Sequence, residues 1–177
     1  MNFIETKLPG VYVLEPRVFE DERGLIAPAF SAKEFAAHGM ESVFVESIIS
    51  FSRHRGTLRG LHYQAPPFGQ AKLVRCTRGT VYDVAVDLRP SSPTFKQWFG
   101  VELSAKNRRM MYLPGDCGHG FLTLADDSEV FYMVSEVYSP ESGRGVRWND
   151  PAFGIEWPDV EKKILIERDE QYPDFNL

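Results

Sequence analysis

The chain predicts an all-β fold, a sandwich or barrel, and three observations carry the prediction. Strand-like runs recur at intervals of about ten residues with turn residues between them. Aromatic residues make up 13% of the 177 positions, and with the β-branched residues they suit a pleated, half-buried surface. A helical pattern interrupts the first half only once, so alternating βαβ units are not indicated.

The elements follow in order. Val11-Tyr12-Val13-Leu14-Glu15-Pro16 reads as a first strand ended by its proline. Asp21-Glu22-Arg23-Gly24 is a turn leading into Leu25–Phe30. Ser31-Ala32-Lys33-Glu34 has the form of a capping box, and its helix runs through Phe35-Ala36-Ala37 to stop at Gly39. From Val43 the strand signal dominates: Val43–Ser50, Leu58–Gln64, Lys72–Cys76, Gly79–Leu88, Trp98–Leu103, Arg109–Pro114 and Glu129–Tyr138. Pro114-Gly115-Asp116-Cys117-Gly118-His119-Gly120-Phe121 reads as a glycine-rich turn. After Pro140 the pattern is irregular, and Glu161–Ile164 suggests a helical turn.

Length fits one domain over residues 1–177 with a real core. A net charge of -5 does not suggest a nucleic-acid surface, although a local basic cluster for a phosphorylated small molecule is compatible with it. Cys76 and Cys117 form no CxxC pair and no disulfide framework. The first residues hold no long apolar run, so neither a signal peptide nor a membrane span is expected, and cytoplasm is the default.

Chemistry concentrates around His62. Strict alternation puts Leu58, Gly60, His62 and Gln64 on one face, with Arg59, Leu61 and Tyr63 on the other. Lys72, Val74 and Cys76 share a face on the next strand. A metal site would need three or four ligands, typically a His-x-His pair with a glutamate and a later histidine. Here the run is His62-Tyr63-Gln64, no carboxylate follows at short spacing, and Lys72 would repel a cation. The set suits proton transfer beside a carbonyl instead, with His62 as base and Lys72 on the developing enolate oxygen. Tyr132 could return a proton, Asp83 or Asp169 could orient the imidazole, and Arg59 or Arg23 could bind phosphate. Each of these residues is also an ordinary strand or surface residue when taken singly.

Together they resemble the dTDP-4-dehydrorhamnose 3,5-epimerase family. The similarity runs through Asp21-Glu22-Arg23-Gly24, Leu58–Gln64, Lys72–Cys76, Val84–Asp87, Ser92–Phe95, Leu103-Ser104-Ala105, His119-Gly120-Phe121, Trp148-Asn149-Asp150 and Gly154–Pro158. The resemblance implies a cupin-type jelly roll with a few short helices, dimeric and free of metal and cofactor. Its substrate would be a nucleoside-diphosphate 4-keto-6-deoxyhexose. It also implies His62 as base, Tyr132 as proton donor, Lys72 near the keto oxygen and Asp169 as the acid paired with the base. Arg23, Arg59 and His119 match substrate-binding positions, and Gln64, Tyr138 and Arg168 join them as binding candidates. Four positions depart from the family pattern: Pro28, Glu46-Ser47-Ile48, Gly143 and Arg168. They leave the proton-transfer set intact and predict altered recognition of the sugar or nucleobase. A metal-dependent jelly roll and a sugar-binding jelly roll without catalysis are the competing expectations.

Overall fold

The computed structural model describes residues 1–176. Its strands are β1 (Asn2–Glu5), β2 (Tyr12–Glu15), β3 (Phe19–Asp21), β4 (Gly24–Ile26), β5 (Glu46–Ser52), β6 (Leu58–Gln64) and β7 (Lys72–Arg78). They continue with β8 (Thr80–Asp87), β9 (Trp98–Ser104), β10 (Met110–Leu113), β11 (Cys117–Thr123), β12 (Ser128–Val134) and β13 (Gly143–Gly145). Two short helices accompany them, α1 (Ala32–Ala37) and α2 (Glu167–Glu170). One sheet has the order β1-β2-β10-β7-β12-β5 and the facing one β13-β6-β11-β8-β9, while β3 and β4 pair only with each other. The architecture is an all-β jelly roll.

Burial explains the layers. Val74, Cys76, Met111 and Val130 from the first sheet meet Val81, Ala85, Leu103, Cys117 and Phe121 from the second. The outer face of the six-stranded sheet is covered by Phe35 of α1, which packs with Leu14, Leu73, Met110 and Tyr112. Val146, Phe153, Ile155 and Trp157, from the irregular last third, cover Leu61, Val84 and Val86 on the other side. Irregular backbone with large apolar side chains therefore serves as a lid on a sheet.

Several expectations are revised. Ser31 Oγ does accept from the Glu34 N–H, at 3.4 Å, but the Glu34 carboxylate meets the Met1 amino group rather than closing the capping box. Residues 43–45 precede β5, and 135–138 lie beyond β12, so Tyr138 does not share a strand face with Tyr132. No helical turn forms over 161–164. Ile164 instead makes a parallel bridge with Thr57, and the helix comes later, as α2.

Two revisions matter for function. The glycine-rich stretch around His119 is a wholly buried strand, β11. Its glycines serve close approach: a Cβ on Gly120 would sit 2.7 Å from Arg59 O and 3.0 Å from Leu61 Cδ2. Alternation on β6 also fails. His62 pairs with His119, yet Arg59 pairs with Phe121, so β6 carries one extra residue in a bulge. Gly60 sits inside it at φ 120°, and a Cβ there would lie 2.6 Å from Gly120 Cα. The bulge turns Arg59 onto the same side as His62.

Candidate active site

A cleft of about 900 Å³ opens at one end of the jelly roll, between the sheets. That is room for a substrate of small-molecule size. The five-stranded sheet contributes Arg59, His62, Gln64 and His119, and the six-stranded sheet contributes Glu46, Ile48, Lys72 and Tyr132. The C-terminal segment closes one side with Arg168, Asp169 and Tyr172. It is strapped down by Leu58 N–H donating to Ile164 O at 2.9 Å and Ile164 N–H donating to Gly56 O at 2.8 Å.

His62 lies 2.8 Å, through Nε2, from Asp169 Oδ1, and the Gly60 N–H donates to Asp169 Oδ2 at 3.1 Å. Arg168 Nε is 3.5 Å from the same carboxylate. Burial works to raise the Asp169 carboxyl, but the hydrogen bond and charge of His62, the Gly60 N–H and Arg168 outweigh it, and the group is held below its ordinary value. An ionised partner places the hydrogen on Nε2 and leaves Nδ1 as the basic nitrogen.

His119 makes a second pair, with Nε2 2.8 Å from Asp83 Oδ1. The two acids considered from the sequence are thus both used, one for each histidine. Asp83 is fully buried and its Oδ2 has no hydrogen-bond partner. Burial pushes its carboxyl up against the opposing pull of His119 and Lys72.

Lys72 is buried and lines the cleft. Burial brings its pKa down to about 8, with Cys117 and Asp83 opposing. In register across the sheet, Lys72 pairs with Val134 and Val134 with Glu46, while Val74 pairs with Tyr132 and Tyr132 with Ile48. Lys72 and Tyr132 therefore stand on adjacent rows of one face. Burial pushes the Tyr132 phenol up, and the Arg59 charge opposes it.

The other candidates separate. Arg59 lines the cleft and is steadied by Ser52 Oγ at 3.2 Å and Phe51 O at 3.1 Å. Tyr138 and Arg168 line it too. Gln64 faces it, but its amide donates to Phe68 O and Val137 O and accepts from Ser139 N–H at 2.6 Å. One N–H thus holds the loop between β6 and β7, while the other, with the carbonyl oxygen, holds the loop that carries Tyr138. Arg23 lies outside the cleft of its own chain, because its hairpin pairs with nothing else; its side chain is 81% exposed and bonded to Asp21. Of the departing positions, Glu46, Ile48 and Gly143 line the cleft and Pro28 does not. Sequence reading missed Arg144 and Tyr172, which also line it. Tyr172 had one available signal, its place three residues after Asp169. Among the described residues no three His, Cys, Asp or Glu side chains gather as a metal-ligand set.

A jelly roll with a histidine of one sheet paired to a carboxylate of the C-terminal segment, and a buried lysine and a half-buried tyrosine facing it from the other sheet, is a protein equipped for proton transfer on a small molecule. Over residues 5–176 the sequence matches the dTDP-4-dehydrorhamnose 3,5-epimerase family, and the chain belongs to it. It is 47% identical to the dTDP-4-dehydrorhamnose 3,5-epimerase of Shigella flexneri, over 96% of this chain and 93% of that protein. The crystal structure of the enzyme of that name from Elizabethkingia anophelis NUHP1 superposes with a TM-score of 0.96 at 42% identity, covering 99% of this chain and 96% of that one. A 3'-monoepimerase from Streptomyces bikiniensis, in complex with dTDP-quinovose, superposes with a TM-score of 0.90 at 37% identity, covering 97% and 86%.

Proposed function

We propose that this chain epimerises a dTDP-linked 4-keto-6-deoxyhexose at C3 and C5 by enolisation, in deoxysugar precursor synthesis. One observation carries the reading: the base and the proton donor stand on opposed sheets. His62 belongs to β6 and Tyr132 to β12, and both line the same cleft. A proton taken from one face of the sugar and returned on the other inverts the carbon. His62 removes the proton next to the 4-keto group, the Lys72 ammonium stabilises the enolate oxygen, and Tyr132 protonates from the opposite side. Asp169 holds the imidazole and the charge it gains. His119 and Tyr138 touch the sugar nucleotide, and Arg59 and Arg168 its diphosphate. The test is solvent deuterium incorporation at C3 and C5 of dTDP-4-keto-6-deoxyglucose, with inversion followed by NMR. Absence of both exchange and inversion with folded protein overturns the reading.

Glu46, Ile48 and Gly143 support a second reading, in which one carbon alone is inverted or another nucleobase is preferred. All three line the cleft where the family pattern has polar groups of other kinds. A substrate panel separates the two. Full inversion at both carbons of the dTDP sugar, with poor turnover of other nucleotides, removes this second reading.

The enzyme works as a homodimer. Phe19, Ile26 and Ile49 are exposed on the β3–β4 hairpin and the edge strand β5, forming apolar surface that a second copy would cover. Arg23 then meets a diphosphate only in the partner's cleft. Sedimentation at assay concentration checks this, and a monomer overturns it. Location is the cytoplasm; among the described residues no helix is long and apolar enough to cross a membrane.

A further inference from the structure

We infer that Tyr172 is a positioning residue for the His62 base, and that Gly145 is a glycine to make room for it. The inference rests on His62 being the base. The hydrogen bond from Nε2 to Asp169 fixes one end of the imidazole, but a single bond along one line leaves the ring free to tilt about the axis from Cβ to Nε2. Something beside the ring must stop that rotation. Tyr172 stands there, with its ring centroid 6.3 Å from that of His62 at an interplanar angle of 71°. This is the edge-to-face arrangement that aromatic rings prefer.

The same short segment delivers both contacts. Asp169 is in the single turn of α2, and Tyr172 follows just past its C-cap Gln171, so the chain that places the carboxylate also places the ring. Gly145 supplies the space. It pairs directly with His62 across β13 and β6, and a Cβ there would overlap Tyr172 Cζ and Cε2 and come within 2.6 Å of Tyr172 Oη. Gly145 does not have the positive φ that would itself call for glycine. Its missing side chain is explained by the tyrosine. Gly143, the next residue on that face, is under no such constraint: an added Cβ would lie 3.3 Å from Tyr138 Oη, which a small side-chain shift relieves. Burial pushes the Tyr172 phenol up, so the ring stays neutral beside Asp169.

The test compares wild type with Tyr172→Phe, Tyr172→Ala, Gly145→Ala and the double variant Gly145→Ala/Tyr172→Ala. Steady-state kinetics on dTDP-4-keto-6-deoxyglucose and ¹H–¹⁵N signals of the His62 ring are the readouts. Tyr172→Phe keeps the ring and stays within about twofold of wild type. Tyr172→Ala and Gly145→Ala each lose roughly 10- to 100-fold in kcat with KM nearly unchanged, as expected for a misplaced reacting group. The double variant is no worse than Tyr172→Ala, because Gly145→Ala acts only through the tyrosine. The His62 ring signals broaden in the three variants that lose or displace the ring. A raised KM with intact kcat would make Tyr172 a wall of the binding site and overturn the inference; so would wild-type kinetics in Tyr172→Ala, or additive losses in the double variant. Should Tyr172→Ala fail to fold, Gly145→Ala carries the comparison alone. If His62→Ala retains deuterium exchange, the base assignment falls, while the ring signals still report whether Tyr172 holds His62.

Discussion

The molecule contains the same pair of residues twice, a histidine bound through Nε2 to an aspartate at 2.8 Å, and the two histidines are direct neighbours across β6 and β11. Their surroundings differ. Asp169 receives a backbone N–H as well as the imidazole, and its ring partner is 36% exposed at the cleft. Asp83 is at the centre of the core with one oxygen unpaired, and His119 is buried beside it. Donors around Asp169 keep its charge, whereas burial of Asp83 works against its charge. A histidine backed by a stable carboxylate can accept and hold a proton. A histidine backed by a reluctant one suits a fixed hydrogen-bonding role.

The sharpest way to break this contrast is to remove each imidazole. His62→Ala is expected to lose about 10³-fold or more in solvent deuterium incorporation while the protein still folds. His119→Ala should weaken binding and leave exchange measurable. Equal loss of exchange in both variants would erase the distinction.

Lys72→Met is expected to cost on the order of 10²-fold in kcat/KM through lost enolate stabilisation. In wild type the ammonium is lost as pH rises through about 8, so kcat/KM should fall on that basic limb. A profile flat to about pH 9.5, roughly a unit and a half beyond the shifted lysine, contradicts the assignment.

Tyr132→Phe removes only the return of the proton. Inversion should drop roughly 10²-fold while His62 continues to exchange substrate hydrogen with solvent. Loss of exchange and inversion in step would place Tyr132 on the base side.

The smallest effect separates the two carboxylates by pH. Asp83 is raised above its ordinary 3.8, so the stability it contributes is full below that value and is lost as pH rises through the folded value. Asp169 is lowered, so its contribution is present above 3.8 and lost as pH falls through the folded value. Thermal melts should therefore show Asp83→Asn losing less stability than wild type as pH rises from 4, and Asp169→Asn losing less as pH falls below it. The same slope change in both variants would overturn the contrast.

The strands of the jelly roll were legible because period-two runs such as Thr80–Asp87 bury their residues against both neighbours and carry β-branched side chains. The helix at Ser31 was legible from its cap. β11 was not, since Gly118 and Gly120 have the composition of a turn and only the closeness of Arg59 O and Leu61 shows why glycine is needed in a strand. Gln64 lines the cleft, and its bonds to the Phe68 and Val137 carbonyls were not legible because those groups come to it only after folding.

By itself the sequence determined the fold class, singled out His62, Lys72 and Tyr132, which meet in one cleft, and, by resemblance, paired Asp169 with His62. These depend on residue type and on local periodicity. Tertiary structure alone decided that Arg59 faces the cleft, that Arg23 does not, that Asp83 serves His119, and that Tyr172 flanks His62. A single extra residue in a bulge reverses the side a strand residue faces. Contacts across more than a hundred positions, such as Asp169 with Gly60 and His62, exist only once the C-terminal segment is strapped over the cleft.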